Sequence, residues 1–249
     1  MAERAAPDWP QGYARVILPE VDSTNAEALR RLPALSGPTW ILAHRQTAGR
    51  GRRGRGWSDP AGNFAASLVM RLEEPPGALA LRSFVAALAL QDALMAVSGL
   101  SQGFALKWPN DVLLNGGKLS GILLESGADG GLVIGIGVNL RTAPPADPEA
   151  AFAPVSLRAE TGLSVAPETL LDHLAPAFAA WEAQYKALGF QPLRAAFLAS
   201  AARLGTPIVA RTMTECHEGR FETIDDSGAL ILATSEGRRS IPAADIFFP

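Results

Sequence analysis

Gly49-Arg50-Gly51-Arg52-Arg53-Gly54-Arg55-Gly56-Trp57 is a dense run of positive charge in an otherwise acidic chain. Four of the 22 basic residues fall within seven positions of a 249-residue protein whose formal net charge is −3. Glycines let backbone N–H groups approach an anion, and arginine forks pair with phosphate or carboxylate oxygens. Ordering about ten such residues opposes folding by on the order of 10 kcal/mol, at roughly 1 kcal/mol each. The segment is therefore expected to be mobile until a ligand holds it. Trp57 argues against an idle solvated loop, because it closes a run otherwise too polar to bury. Gly49, Gly51 and Gly54 also satisfy Gly-x-Gly-x-x-Gly after a strand, but a dinucleotide fingerprint needs a helix to begin at once. Arg55, Gly56, Asp59, Pro60 and Gly62 deny that helix, so the Rossmann reading fails. Gly135-Ile136-Gly137 lacks the third glycine, and no segment ends in the Gly-Lys-Ser/Thr of a P-loop.

Upstream of the loop, Arg15 to Leu18 reads as a short strand. Thr24 reads as an N-cap with Glu27 at capping-box spacing, opening a helix to about Leu32. Thr39 to His44 is a buried strand and residues 45 to 62 a long loop. Downstream, Asn63 to Leu72 is a strand, Ala78 to Val97 an apolar buried helix, and Phe104 to Lys107 a strand. Val112 to Leu114 pairs with Lys118 to Glu125 around Asn115-Gly116-Gly117, a tripeptide able to supply positive φ. Leu132 to Leu140 is a further strand. A Pro/Ala-rich connection, Arg141 to Pro154, leads to helices near Pro167 to Leu188 and Pro192 to Ala202. From Arg203, short strands (Pro207 to Arg211, Glu218 to Ile224, Ala229 to Thr234, Arg238 to Ile241) alternate with turn residues. A β unit of about 45 residues, in form a partly open barrel, is expected to lean on the main domain for stability.

Composition removes other classes. A hydrophobic fraction of 48% is too high for a disordered chain, and the net charge excludes one global basic surface. The apolar run Phe84 to Leu90 stops at Gln91 and Asp92, short of the roughly 18 residues a membrane span needs. Met1 to Pro7 has no apolar core, so no signal peptide and a cytoplasmic location are expected. Cys216 is the only cysteine, which excludes an intramolecular disulfide. There are nineteen arginines and three lysines, so Lys107 and Lys118 stand out as compact point charges.

Five segments then resemble, in order and spacing, the motifs of the biotin protein ligases, or biotin–[acetyl-CoA-carboxylase] ligases. They are Ser23-Thr24-Asn25, Gln46 to Trp57, Lys107-Trp108-Pro109-Asn110-Asp111, Gly117-Lys118-Leu119-Ser120-Gly121-Ile122-Leu123 and Gly135-Ile136-Gly137-Val138-Asn139. The resemblance implies an α+β fold. A class II synthetase-like catalytic domain, a mixed β-sheet flanked by helices, would occupy residues 1–202, and a small C-terminal SH3-like β-barrel residues 203–249. It implies biotin and ATP as substrates, with Mg²⁺, a biotinyl-5′-AMP intermediate, and transfer to a lysine of a biotin carboxyl carrier domain. Lys107 and Arg52 would be catalytic. Ser23, Thr24, Asn25, Gln46, Gly49, Arg50, Gly51, Arg52, Lys107, Lys118, Gly121 and Gly137 would bind biotin. Arg52, Arg55, Lys107 and Asn139 would bind ATP; apart from the resemblance, Phe152, the one aromatic residue in the 141 to 155 connection, is a candidate to stack on adenine. No metal ligand is assigned.

Most of these residues also have a plainer reading. Thr24 and Glu27 can be a capping box alone, Gln46 a loop amide, Lys107 a snorkelling strand-end lysine, and Lys118 a solvated hairpin lysine. Gly117 and Gly121 can be turn and bulge glycines, and Asn139 a cap. Only 22 residues precede Ser23, too few for the operator-binding winged helix of some family members, so no DNA binding is expected. Monomer and homodimer stay open. A lipoate or octanoate ligase on the same fold is the sister reading. An RNA-binding Arg/Gly segment is the alternative from another class, and it would show affinity falling steeply with salt.

Overall fold

The computed structural model describes residues 7–127, 130–146, 151–212 and 214–248. A seven-stranded sheet is built from β1 (Ala14–Leu18), β2 (Thr39–Ala43), β3 (Phe64–Arg71), β4 (Phe104–Lys107), β5 (Asp111–Leu114), β6 (Gly117–Ser126) and β7 (Gly131–Val138), in the order β1-β2-β3-β7-β6-β5-β4. β1 and β2 run parallel and every other neighbouring pair antiparallel. The helices are α1 (Thr24–Arg31), α2 (Pro76–Ala80), α3 (Arg82–Ser98), α4 (Leu157–Thr161), α5 (Pro167–Leu188) and α6 (Gln191–Ser200). A second, five-stranded antiparallel sheet follows. It comprises β8 (Pro207–Arg211), β9 (Cys216–Ile224), β10 (Leu230–Thr234), β11 (Gly237–Ile241) and β12 (Asp245–Phe247), in the order β11-β10-β9-β8-β12.

Strand alternation sorts side chains to the two faces of the large sheet. In β7, Leu132, Ile134, Ile136 and Val138 enter the main core with α3 and α5, while Val133 joins the smaller core under α1. Gly135 and Gly137 share the parity of Val133, so on that face the strand carries no bulk beyond residue 133. β3 repeats the pattern. Phe64, Ala66, Leu68 and Met70 face the main core, and Val69, with Ser67 in step, faces α1. One face of the sheet is thus filled with large side chains and the other left shallow. The site lies on the shallow face.

Several elements differ from their sequence expectations. Positive φ falls on Asn115 (50°) and Gly116 (84°), a two-residue turn. Gly117 already lies in β6 and is glycine for another reason, because a Cβ there would overlap Val155. The helix expected from Ala78 to Val97 is two, α2 and α3, and α3 ends on Gly99 in the left-handed region. Pro76–Ser98 reaches a mean hydropathy of 1.5 over an 18-residue window, but most of it packs into the core. α4 and β12 have no counterpart in the sequence reading; Ser156 caps α4 by accepting the Ala159 N–H at 3.2 Å. Within the Arg141 to Pro154 connection, residues 147–150 lie outside the described residues.

The C-terminal sheet does lean on the rest. The Trp108 indole N–H donates to the Gly228 carbonyl at 2.9 Å, and Gln191 and Arg194 bond the Asp226 carboxylate. Phe248 packs edge-on against Phe152 with ring centroids 4.4 Å apart. Its apolar side chains, among them Ile208, Phe221 and Leu230, continue the main core.

Candidate active site

The floor of the site is the shallow sheet face, and glycine is what makes it shallow. Gly121 and Gly137 sit directly opposite each other on β6 and β7. The Trp57 ring lies over this pair, so closely that a Cβ on Gly137 would overlap the indole and one on Gly121 would meet Trp57 Cζ3 at 3.2 Å. A Cβ on Gly135 would overlap the Asn25 side-chain amide. The tryptophan that ends the Arg/Gly loop is therefore received by a glycine window in the sheet. A cleft of about 370 Å³ opens beside it.

At one end of the cleft stands the start of α1. Ser23, not Thr24, is the N-cap, and no side chain caps the helix. The expected capping box does not form, because Glu27 bonds Arg30 and Arg31 instead. This leaves Ser23, Thr24 and Asn25 buried at the cleft wall, with the Thr24 and Asn25 side chains bonded outside the helix. Thr24 donates its backbone N–H to Gln46 Oε1 at 2.8 Å, and its hydroxyl lies 3.2 Å from the same oxygen. Ser67 Oγ is 2.8 Å from Thr24 Oγ1 and 2.6 Å from Asn25 Oδ1, and Asn25 Nδ2 donates to Glu125 at 2.7 Å. The result is a polar end of fixed donors and acceptors.

Charge gathers at the other end. Register pairs Lys107 with Asp111 across β4 and β5, and Lys118 enters from β6. Asp111 bridges them, with Oδ2 3.3 Å from Lys107 Nζ and Oδ1 2.8 Å from Lys118 Nζ. Burial pulls the Lys107 ammonium below the ordinary lysine range against the opposing pull of Asp111. For Asp111 burial acts upward, but Lys118 and Lys107 overcome it and hold the carboxyl below the usual range. Lys107 Nζ also sits 4.6 Å over the Phe152 ring. Trp108 and Pro109 are joined by a cis peptide.

The Arg/Gly loop folds over this cleft as a narrow hairpin, with Gly51 N–H donating to Arg55 O at 2.7 Å and Trp57 N–H to Gly49 O at 2.9 Å. Its arginines reach three different walls. Arg50 lies 3.6 Å from Glu125 on β6, Arg52 donates to Asn110 Oδ1 at 3.3 Å, and Arg55 pairs with Asp245 of β12 at 2.6 Å. Gly49 lies outside the cleft lining. It is pressed against the Trp57 backbone, where a Cβ would come 2.7 Å from the Trp57 carbonyl oxygen.

Every other residue singled out for biotin or ATP lines this one cleft. Asn139 donates Nδ2 to Val155 O at 3.1 Å, sixteen residues downstream rather than in the next turn that a cap would serve, while its Oδ1 is buried with no partner among the described residues. Sequence reasoning passed over Trp57, Gly135, Asn110 and Asp111 as site residues, and Asp245 and Phe247 from the second sheet. For Gly135 a signal existed, since Gly-Ile-Gly puts two glycines on one strand face. For Asp245 none did, because it reaches the site through β12. The described residues hold no group of three or more His, Cys, Asp or Glu side chains suited to a metal ion.

Residues 17–141 match the family model described as biotin/lipoate A/B protein ligase, and residues 204–248 that described as biotin protein ligase C terminal domain. The chain is 58% identical to a biotin–[acetyl-CoA-carboxylase] ligase of Paracoccus denitrificans, over 93% of this chain and 99% of that one. It is 32% identical to a bifunctional ligase/repressor BirA of Bacillus spizizenii, over 93% of this chain and 73% of the relative. A solved biotin protein ligase from Aquifex aeolicus, in complex with biotin and ATP, matches with a TM-score of 0.82 at 27% identity, covering 94% of this chain and 97% of that one. With its sheet, its cleft and its C-terminal strands matched along one chain, this protein belongs to the biotin/lipoate A/B protein ligase family, as a biotin protein ligase.

Proposed function

We propose that the chain activates biotin with ATP and passes the biotinyl group to a lysine of a biotin carrier domain of the kind found in acetyl-CoA carboxylase. The observation that carries this is the cleft's polarity. Fixed neutral donors and acceptors stand at the α1 end, suited to an uncharged ureido ring, and the Lys107–Asp111–Lys118 cluster stands at the other, suited to a carboxylate meeting a phosphate.

In the first half-reaction a biotin carboxylate oxygen bonds to the α-phosphorus of ATP, and the bond to the bridging oxygen breaks, releasing pyrophosphate. Two anions must approach, so preorganised positive charge lowers the barrier. Lys107 and Arg52 serve the reacting atoms, and Lys118 and Arg50 bind the biotin side. Arg55, Asn139 and Phe152 bind the nucleotide, with Ser23, Thr24, Asn25, Gln46, Gly51, Gly121 and Gly137 forming the biotin walls. Mg²⁺ would accompany ATP and offset charge on its phosphates, and no residue is assigned to hold it. In the second half-reaction the carrier lysine amine attacks the acyl carbon, loses its proton and expels AMP. The hairpin over the cleft keeps water from the mixed anhydride. We also place the division between the catalytic and C-terminal units at 202/203, where α6 gives way to the second sheet.

The deciding experiment is pyrophosphate release from MgATP with biotin, lipoate and octanoate offered separately. Release with biotin alone supports the proposal. Release with lipoate or octanoate moves the chain to the sister activity of the same family, and silence with all three rejects it.

Two further outcomes are expected. Arg52→Ala slows adenylation and lets biotinyl-5′-AMP leak into solution, read as adenylate in the filtrate of a single-turnover reaction; adenylate retained as in the wild type would show that the loop is no lid. Lys107 must be protonated to stabilise the developing charge, and its ammonium titrates below the ordinary lysine range. The kcat/KM profile for pyrophosphate release should accordingly lose activity as pH rises through that lowered value. Asp111→Asn removes the carboxylate that holds the proton on Lys107, so its alkaline limb should move to still lower pH. A limb unmoved by the substitution would assign the titration elsewhere.

A further inference from the structure

Asp59 stands just past the Arg/Gly loop, outside the cleft lining, and is half-buried. Its Oδ2 accepts the Gln46 backbone N–H at 3.0 Å, while Oδ1 is buried without a partner among the described residues. Burial pushes its carboxyl up to about 6, and each interaction opposing that shift comes from Gln46. A carboxylate desolvated in this way costs stability and is tied to one neighbour.

That neighbour is the other foot of the loop. Gln46 precedes the hairpin as Asp59 follows it, and between them the neck is closed by the Gly49–Trp57 backbone bond. The same Gln46 extends its side-chain carbonyl to the Thr24 N–H, at the first turn of α1. One carboxylate thus holds the loop's entry, and through Gln46 the helix start that forms the neutral end of the cleft.

We infer that Asp59 is a positioning residue, which clamps the two feet of the Arg/Gly loop and orients Gln46 toward the start of α1. It touches no reacting group. The inference rests on the proposed biotin site for its kinetic consequence, but not for its structural one.

The test uses the full chain as wild type, Asp59→Ala and Asp59→Asn, with two readouts. The first is limited tryptic digestion without ligand, with cuts after residues 50 to 55 counted by mass spectrometry. Alanine should speed cleavage there about tenfold over cleavage elsewhere, because opening of the loop neck exposes those bonds. The second is pyrophosphate release with biotin and MgATP. Alanine should raise the biotin KM about tenfold with kcat within about twofold. Asparagine, whose side-chain oxygen can still accept the Gln46 N–H, should restore both readouts most of the way. Unchanged digestion in Asp59→Ala would overturn the clamp, as would a fall in kcat at constant KM. If alanine fails to fold, asparagine decides alone: near-wild-type values for both readouts support the clamp, and values far from wild type reject it. A wild type that releases no pyrophosphate with biotin would reject the functional reading, leaving the digestion to judge Asp59.

Discussion

Lys107→Ala is expected to slow biotinyl-adenylate formation about 10²–10³-fold, equivalent to about 3 kcal/mol for loss of one preorganised charge. The fold should survive. Lys107 is buried, and deleting one member of a buried charge pair usually strands the other at a cost of about 3–5 kcal/mol. Here Asp111 keeps Lys118 at 2.8 Å, so its charge is not orphaned. The side chain removed is also a poor contributor to stability, since burial disfavours its charged form. Pyrophosphate release and a thermal melt, run on the same preparation, separate the two effects. Release at the wild-type rate would remove Lys107 from the mechanism. A collapsed melt would show that the lysine is chiefly structural.

Gly137→Val carries the second large effect. The position has no backbone reason to be glycine, because its φ is not in the left-handed region. It is glycine because the Trp57 indole occupies the space a side chain would need. Valine must displace that ring, and with it the hairpin and the cleft wall. Overpacking of this kind costs about 1–3 kcal/mol, and here the strain falls on the site. Biotin affinity measured by calorimetry should drop about a hundredfold or more, with a modest fall in melting temperature. Gly77→Ala is the matched control. A Cβ there meets nothing within 4 Å and the residue lies in helix α2, so the change should be neutral or slightly stabilising. Normal biotin binding by Gly137→Val would mean that the ring moves freely and the glycine window is not what seats it.

Much of the site was legible before any coordinates. The anion-binding character of Gly49 to Trp57 follows from composition, because arginine forks and bare backbone amides act over a few residues wherever they are placed. The placement of Lys107 at a strand end and Lys118 just after a turn follows from the two-residue period and the Asn115-Gly116 signal, which are also local. Those rules account for the strands of the large sheet and for the bounds of α1, α5 and α6 to within a turn, but they join α2 to α3 and miss α4. They failed at α1, where Thr24 and Glu27 have capping-box spacing but the site claims the threonine and two arginines claim the glutamate.

The remainder depended on which distant segments meet. Arg55 and Asp245 are 190 residues apart, Asn25 and Glu125 100, and Arg52 and Asn110 58. The identity of each residue suits its contact, yet none of these pairs is implied by spacing. β12 is three residues long, too short for a periodic pattern, and exists because β8 offers it an edge. The glycines of β6 and β7 look alike in sequence whether they relieve a turn, admit a ring or leave a gap. Local chemistry along the chain, its charges, turns and alternation of faces, is written in consecutive residues and could be read there. The order of the strands set the packing of Trp57 on Gly137, the sharing of Asp111 by two lysines and the clamp at Asp59, because each requires atoms from separate elements to arrive at one point.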